Sequence, residues 1–361
     1  MLSSRERLRR AYFHEPMDRP AVYCRTGFPE NDPTYARLLA YIAEHADLKQ
    51  GWYAPALFSP YSVTEYFEPY SVDFQRRVHV LHTPRGDLRA SWLDSLTGQS
   101  GLHETHFIKD RECAEKYLSL PLPEIGADVS GFFEAERRLG ERGIVEVGLT
   151  MNPGGTVAEL CGSENFAVMS ITDRDILHAL CKRELQIHLA LLDILIARGV
   201  GPFFSLYGQE YLVPPLHGPA DFWDFNVRYD KPIIDRIHAG GGRVYDHSHG
   251  SIAKVIDGFL EMGVDVLHPF EAPPMGDITP AQAQRAAGAR MSLEGNIQID
   301  RMYKAAPEEI REETAQLIRD VFEHGTGLVV CPTASAYIRG GGEVCFPQYQ
   351  AMIDTVINWK G

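Results

Sequence analysis

The sequence predicts an α/β protein of the (β/α)8 TIM-barrel class, a single domain with an antiparallel hairpin added near its N-terminus. Three observations lead there. From about residue 129 onward, apolar β-rich runs of five to eight residues alternate with longer amphipathic stretches, the rhythm of parallel strands buried beneath helices. Six such units follow one another, and two earlier strands near Ala21 and Tyr53 bring the number to eight. No G-x-G-x-x-G follows the first strand and opens a helix, which disfavours the competing open, doubly wound sheet.

Taken in order, Ser3 or Ser4 caps a first helix that runs through Arg5-Glu6-Arg7-Leu8-Arg9-Arg10-Ala11-Tyr12-Phe13. His14-Glu15-Pro16 and Asp18-Arg19-Pro20 close it, and Ala21-Val22-Tyr23-Cys24 follows as a short strand. Arg77–His82 and Leu88–Trp92 read as two β runs joined by the turn Thr83-Pro84-Arg85-Gly86-Asp87. The later strand candidates are Ile144–Leu149, Pro202–Tyr207, Arg243–His249, Val264–Phe270, Met291–Ile297 and Leu328–Pro332. Between them, helices are expected over Glu164–Gly199, Pro219–Ala239, Ser251–Met262, Pro280–Ala287 and Pro307–Glu323. Gly240-Gly241-Gly242 precedes a strand and so marks a helix terminus.

Composition narrows the classes of function. The chain has 361 residues and weighs 40.5 kDa, with 35 Lys+Arg against 49 Asp+Glu and a formal charge of −14. That sign opposes binding to a phosphate backbone, so nucleic acid is not an expected partner. At 44% hydrophobic residues there is ample material for a core. The length suits two domains or one large barrel, and with no internal repeat or low-complexity linker one domain over residues 1–361 is the economical reading. The charged start is unlike a secretory signal, and the longest apolar helix candidate, Leu189 to Val200, is interrupted by Asp193 and Arg198. A cytoplasmic protein without a membrane span is expected. Six scattered cysteines without CxxC spacing suit reduced thiols in that compartment.

The most informative segment is Arg243-Val244-Tyr245-Asp246-His247-Ser248-His249-Gly250. Side chains two apart on a strand share a face, so His247 and His249 are expected to point together into the barrel mouth, where two imidazoles can bind a divalent metal such as zinc. The other reading makes one of them a helix cap or a partner of a backbone carbonyl. Cys331, at a strand end closed by Pro332, faces the same mouth, although a cysteine in an apolar strand is commonly a small hydrophobe. Glu210, after Tyr207-Gly208-Gln209, reaches the same end, and its plain reading is a solvated loop carboxylate. Together Glu210, His247, His249 and Cys331 offer oxygen, nitrogen and sulfur ligands from three strands, and an open zinc position acts as a Lewis acid on a thiolate, ether or water. His268, Glu271, Glu294 and Asn296 sit at further strand ends, where they either meet the substrate and orient ligands or fix loops. Met151, Tyr207, Tyr211, Trp223 and Tyr337 line an apolar pocket or belong to the core.

A set of ordered segments carries a family resemblance. They are Arg5-Glu6-Arg7 through His14-Glu15-Pro16-Met17-Asp18-Arg19-Pro20, His247-Ser248-His249-Gly250, Gly263-Val264-Asp265-Val266-Leu267, Gly276-Asp277, Gly295-Asn296-Ile297 and Gly327-Leu328-Val329-Val330-Cys331-Pro332. In these the chain resembles the uroporphyrinogen decarboxylase superfamily, which also contains cobamide-dependent methyltransferases, and the resemblance implies a (β/α)8 barrel. Decarboxylases of the family hold substrate carboxylates with an M-R-Q-A-G-R loop, in bidentate pairs. Here the matching stretch, Tyr23-Cys24-Arg25-Thr26-Gly27-Phe28-Pro29, has one arginine, so a tetrapyrrole would lack its clamp. The methyltransferase branch carries zinc on H-x-C plus a later cysteine, and His247-x-His249 with Cys331 is similar.

The resemblance thus implies a zinc-dependent methyltransferase that moves a methyl group between a small methylated compound, or a folate-type acceptor, and a corrinoid. No D-x-H-x-x-G motif occurs in the sequence, so the corrinoid is expected on a partner protein. On that reading Glu210, Tyr207 and Glu294 are the candidate catalytic groups, and Arg25, Tyr211, His268, Asn296 and Tyr337 the substrate contacts. The metal ligands are Glu210, His247, His249 and Cys331. A metal-independent decarboxylase acting on a small or tetrapyrrole carboxylic acid, with Arg25 and Arg339 as clamps, is the alternative enzyme. A barrel that only binds a ligand is the third reading.

Overall fold

The computed structural model describes residues 1–98 and 100–360; Gln99 and Gly361, both inside the expected span of the domain, lie outside the described residues. Eight strands form one sheet: β1 (Ala21–Val22), β2 (Leu48–Tyr53), β3 (Gly143–Met151), β4 (Phe203–Tyr207), β5 (Arg243–His247), β6 (Val266–His268), β7 (Ser292–Ile297) and β8 (Leu328–Pro332). Their spatial order is β1-β8-β7-β6-β5-β4-β3-β2, and every pairing is parallel. This is an α/β fold whose parallel sheet curls in the manner of a TIM barrel. Every residue of β7 and β8 is buried, as expected of strands covered on both faces.

The two end strands meet at Asp47. Its backbone N–H donates to Val22 O at 2.8 Å, and its carboxylate accepts from Val22 N at 2.9 Å. Arg7 Nη1 at 2.8 Å and Arg19 Nη1 at 3.3 Å hold the same fully buried carboxylate. Arg7 belongs to the helix Ser4–Tyr12, which Ser3 caps by accepting from Glu6 N at 3.2 Å. The apolar face of that helix, Leu8, Ala11 and Tyr12, packs against Ile144, Phe203, Val266 and Val329 at the starts of their strands. One end of the sheet is thereby plugged, and the strands' C-terminal ends are left for chemistry.

Several expected elements change shape. The stretch Glu164–Gly199 breaks into Ser163–Thr172 and Arg174–Ala197, because Asp173 leaves helical geometry and takes an ion pair from Arg111 at 2.7 Å. Pro219–Ala239 contains a π-helical run, Phe222–Val227, that keeps Phe222, Phe225 and Asn226 all buried. Where a hairpin is expected, the structure has a four-stranded antiparallel sheet made of Val63–Pro69, Phe74–Leu81, Leu88–Ser95 and Leu102–Thr105. Its outer strand Val63–Pro69 is mostly exposed and lacks apolar alternation, so nothing in the sequence marks it as a strand. Helices Ala36–His45, Arg111–Leu118, Ser130–Leu139, Pro153–Cys161 and Gly342–Ile357 complete the fold. Pro347 inside the last of them hides its periodicity. No helix among the described residues is long and apolar enough to cross a membrane.

Asp47→Ala removes one partner of a buried ionic cluster and leaves two arginines facing it. The expected loss is about 3–5 kcal/mol of unfolding free energy, read by urea denaturation. A loss below about 1 kcal/mol contradicts the place of Asp47 in joining the sheet ends.

Candidate active site

Tyr207 on β4, His247 on β5 and His268 on β6 stand in register at one level of the sheet. A cavity of about 310 Å³ opens beside them, lined among others by Tyr23, Arg25, Lys49, Glu146, Tyr207, Tyr245, His247 and Glu294. His247 Nδ1 lies 2.8 Å from His268 Nδ1, with the rings stacked 5.0 Å apart. His268 Nε2 lies 3.3 Å from Pro332 O. Arg25 Nη1 reaches Tyr245 Oη at 3.2 Å and both ring nitrogens of His268 at 3.3 Å. Burial, then the Arg25 charge, then His249 push the His247 imidazole down to about 3. Burial and Arg25 likewise hold His268 well below the ordinary range. Both rings are therefore neutral, the state that a metal ligand or proton acceptor requires.

Beneath these rings three strands converge. His268 on β6, Glu294 on β7 and Cys331 on β8 are all buried, and their ligand atoms lie within 4.8 Å of one another. Glu294 Oε2 accepts from Lys49 Nζ at 2.5 Å, while its Oε1 is buried with no hydrogen-bond partner among the described residues. Lys49 Nζ also lies 3.0 Å from Tyr12 Oη and 3.4 Å from Glu146 Oε2, and 4.5 Å above the Tyr245 ring. Burial opposes the charge on Lys49, but Glu294 and Glu146 outweigh it and raise its pKa. Burial, helped by the nearby Glu294 charge and opposed by Arg25 and Lys49, pushes the Cys331 thiol far up. A nitrogen, an oxygen and a sulfur donor form a set that suits zinc, with a position left for a further ligand, and the orphaned Glu294 Oε1 supplies an acceptor for the ion.

The four ligands expected from the sequence are distributed differently. Cys331 belongs to the converging group, and His247 adjoins it through His268. His249 lies beyond the end of β5, where the alternation of a strand no longer governs it; its Nδ1 pairs with Glu271 Oε2 at 3.0 Å. Its ring centroid remains 4.7 Å from that of His247. Glu210 folds back to accept from Gly208 N at 3.1 Å. Among the described residues, no three of Glu210, His247, His249 and Cys331 approach as closely as His268, Glu294 and Cys331 do.

Of the other candidates, Arg25, Tyr207 and Glu294 line the cavity. Tyr211 instead donates to Glu159 Oε2 at 3.1 Å. Asn296 donates to Phe270 O at 3.1 Å and borders a separate cavity of about 440 Å³. Tyr337 is 62% exposed and packs edge-on against Tyr303, and Arg339 binds Glu30 O at the surface. Lys49 and Glu146 went unrecognised in the sequence. For Glu146 the available signal was a charge inside the apolar strand segment Val145-Glu146-Val147, since such charges persist only when paired, whereas Lys49 lies in the polar, partly exposed strand Leu48–Tyr53 and carries no such mark.

A family model described as "Uroporphyrinogen decarboxylase (URO-D)" matches residues 119–335. No curated protein matches the chain. Among solved structures, a methyltransferase from Methanosarcina mazei is 13% identical, with a TM-score of 0.62 over 99% of this chain and 99% of its own. A D-psicose 3-epimerase from Clostridium cellulolyticum H10 is 12% identical over 63% of this chain and 81% of its own, with a TM-score of 0.39. The first shares the fold along the whole length.

The outward side of β5 carries a second polar group. Asp246 is fully buried and neither carboxylate oxygen has a hydrogen-bond partner among the described residues. Nearby Asp230, also fully buried, accepts from Gln209 Nε2 at 2.9 Å and from Asn152 Nδ2 at 2.9 Å. Burial raises the Asp230 carboxyl to about 7 against these hydrogen bonds. The folded value exceeds the unfolded one, so the folded protein holds an extra proton between about pH 4 and about pH 7, and stability falls as pH rises through that window. In urea unfolding, Asp230→Asn is expected to flatten that decline relative to the unsubstituted protein. Equal slopes contradict the assignment.

Proposed function

The chain belongs to the uroporphyrinogen decarboxylase family, and from that premise we propose that it is a zinc-dependent methyltransferase, one domain over residues 1–361, working between a small methylated compound or folate-type acceptor and a corrinoid partner protein. The observation that carries this reading is the convergence of His268, Glu294 and Cys331 within 4.8 Å, with one carboxylate oxygen unpartnered. These three residues would hold the zinc, with His247 and His249 above them at the mouth. When bound, the metal supplies a Lewis acid to the heteroatom that carries or receives the methyl group.

The protein's own residues prepare that place. Lys49 fixes the Glu294 carboxylate through Oε2 and leaves Oε1 free. Burial, assisted by the Arg25 charge, keeps the paired imidazoles neutral. Tyr23, Tyr207 and Tyr245 wall the cavity. Because burial disfavours the Cys331 thiolate, the sulfur is a ligand only when a cation accompanies it, so metal uptake releases its proton. The similarity to a methyltransferase over the full length agrees with this reading at the level of the fold.

A second reading has its own support: Arg25 lines the cavity and would hold a carboxylate for decarboxylation. Arg339, the other expected clamp, lies at the surface. One arginine and about 310 Å³ suit a small acid and not a tetrapyrrole.

Zinc content and methyl transfer to a corrinoid protein, scored by the cobalt absorption change, separate the two. The methyltransferase reading expects stoichiometric zinc in the purified protein and its loss in Cys331→Ala and Glu294→Gln. Transfer should fall by more than about a hundredfold in both. A zinc-free protein, or full transfer in Cys331→Ala, contradicts it.

A further inference from the structure

Four charged residues line the cavity, Arg25, Lys49, Glu146 and Glu294, two of each sign. Lys49 is fully engaged, with Glu294 at 2.5 Å, Tyr12 at 3.0 Å and Glu146 at 3.4 Å. Arg25 is not: all its hydrogen bonds among the described residues run through Nη1, and its Nε is buried without a partner. Nη2 makes no hydrogen bond among the described residues and is not among the sealed atoms, so one cationic N–H group is left over for an anion in the cavity. Glu146 is unspent in the opposite sense. Its Oε2 accepts from Tyr12 Oη at 2.5 Å and from Lys49 Nζ at 3.4 Å, and no described residue donates to Oε1.

A small, formally neutral cavity therefore offers one unspent cationic group and one free anionic oxygen. We propose that its substrate is a small zwitterion of the α-amino-acid type, with the carboxylate on Arg25, the ammonium on Glu146 and the methyl-bearing or methyl-accepting heteroatom in its side chain. The inference rests on the preceding reading for the place of the substrate. A simple acid leaves the Glu146 oxygen uncompensated, a simple amine leaves the Arg25 guanidinium so, and a polycarboxylate adds charge the wall does not balance. The volume of about 310 Å³ stands at the small end of ligand cavities and suits a molecule of amino-acid size.

Three methyl ethers test this by isothermal titration calorimetry on the purified full chain, with and without added zinc. O-methyl-L-serine carries both charges, 3-methoxypropionate lacks only the ammonium, and 2-methoxyethylamine lacks only the carboxylate. O-methyl-L-serine is expected to bind more than about tenfold tighter than either half. Arg25→Met should reduce it to the affinity of 2-methoxyethylamine, and Glu146→Gln to that of 3-methoxypropionate. Equal binding of either half, or no binding of any of the three, overturns the inference; the ligand series on the unsubstituted protein decides this even if a variant fails to fold. The outcomes separate from those of the preceding reading. Zwitterion binding without zinc or methyl transfer removes only the methyltransferase, whereas transfer without zwitterion preference removes only the substrate class.

Discussion

The interior of this barrel is organised by one buried ion pair, Lys49 with Glu294 at 2.5 Å. Both side chains are almost wholly inaccessible, and neither charge would be tolerated there alone. Tyr12, rising from the helix that plugs the strand starts, and Glu146 complete the lysine's surroundings, so the plug and the site share a network. The consequence for chemistry lies in what the pair leaves over. Lys49 takes one oxygen of Glu294, the other has no partner among the described residues, and the carboxylate stands within 4.8 Å of the donor atoms of His268 and Cys331.

A second layer of charge acts on the imidazoles. Arg25 sits 3.3 Å from His268 and, with burial, keeps both His268 and His247 unprotonated. Neutral imidazole, a carboxylate oxygen and a thiol together make a donor set with affinity for a soft-to-borderline cation, while the lysine and arginine offset part of the negative charge the set acquires. The donor group thus adjoins, through Glu294, a cavity with opposite charges on its wall.

The positions of the strands were legible because burial on both faces leaves a plain mark: Leu328–Pro332 coincides with its expected span, and β4 and β7 lie within one residue of theirs. Family membership was legible from short ordered segments. The converging site was only half legible. Cys331 was recognisable as a strand-end residue, and His268 and Glu294 were noted but assigned to other roles. The reason is geometric. Period-two alternation says which residues share a face, but it does not say that His249 has already left the strand to pair with Glu271, nor that strands β6, β7 and β8 curl until their side chains meet. Lys49 was missed because its pairing with a residue 245 positions away leaves no local trace.

The central claim is that sulfur from Cys331 joins nitrogen and oxygen from His268 and Glu294 around one ion. X-ray absorption at the zinc edge of the metal-loaded protein reads this directly. The account predicts one sulfur neighbour at about 2.3 Å together with nitrogen and oxygen neighbours at about 2.0–2.2 Å. A shell of nitrogen and oxygen alone, with no sulfur, would place the ion at the outer histidines and contradict it.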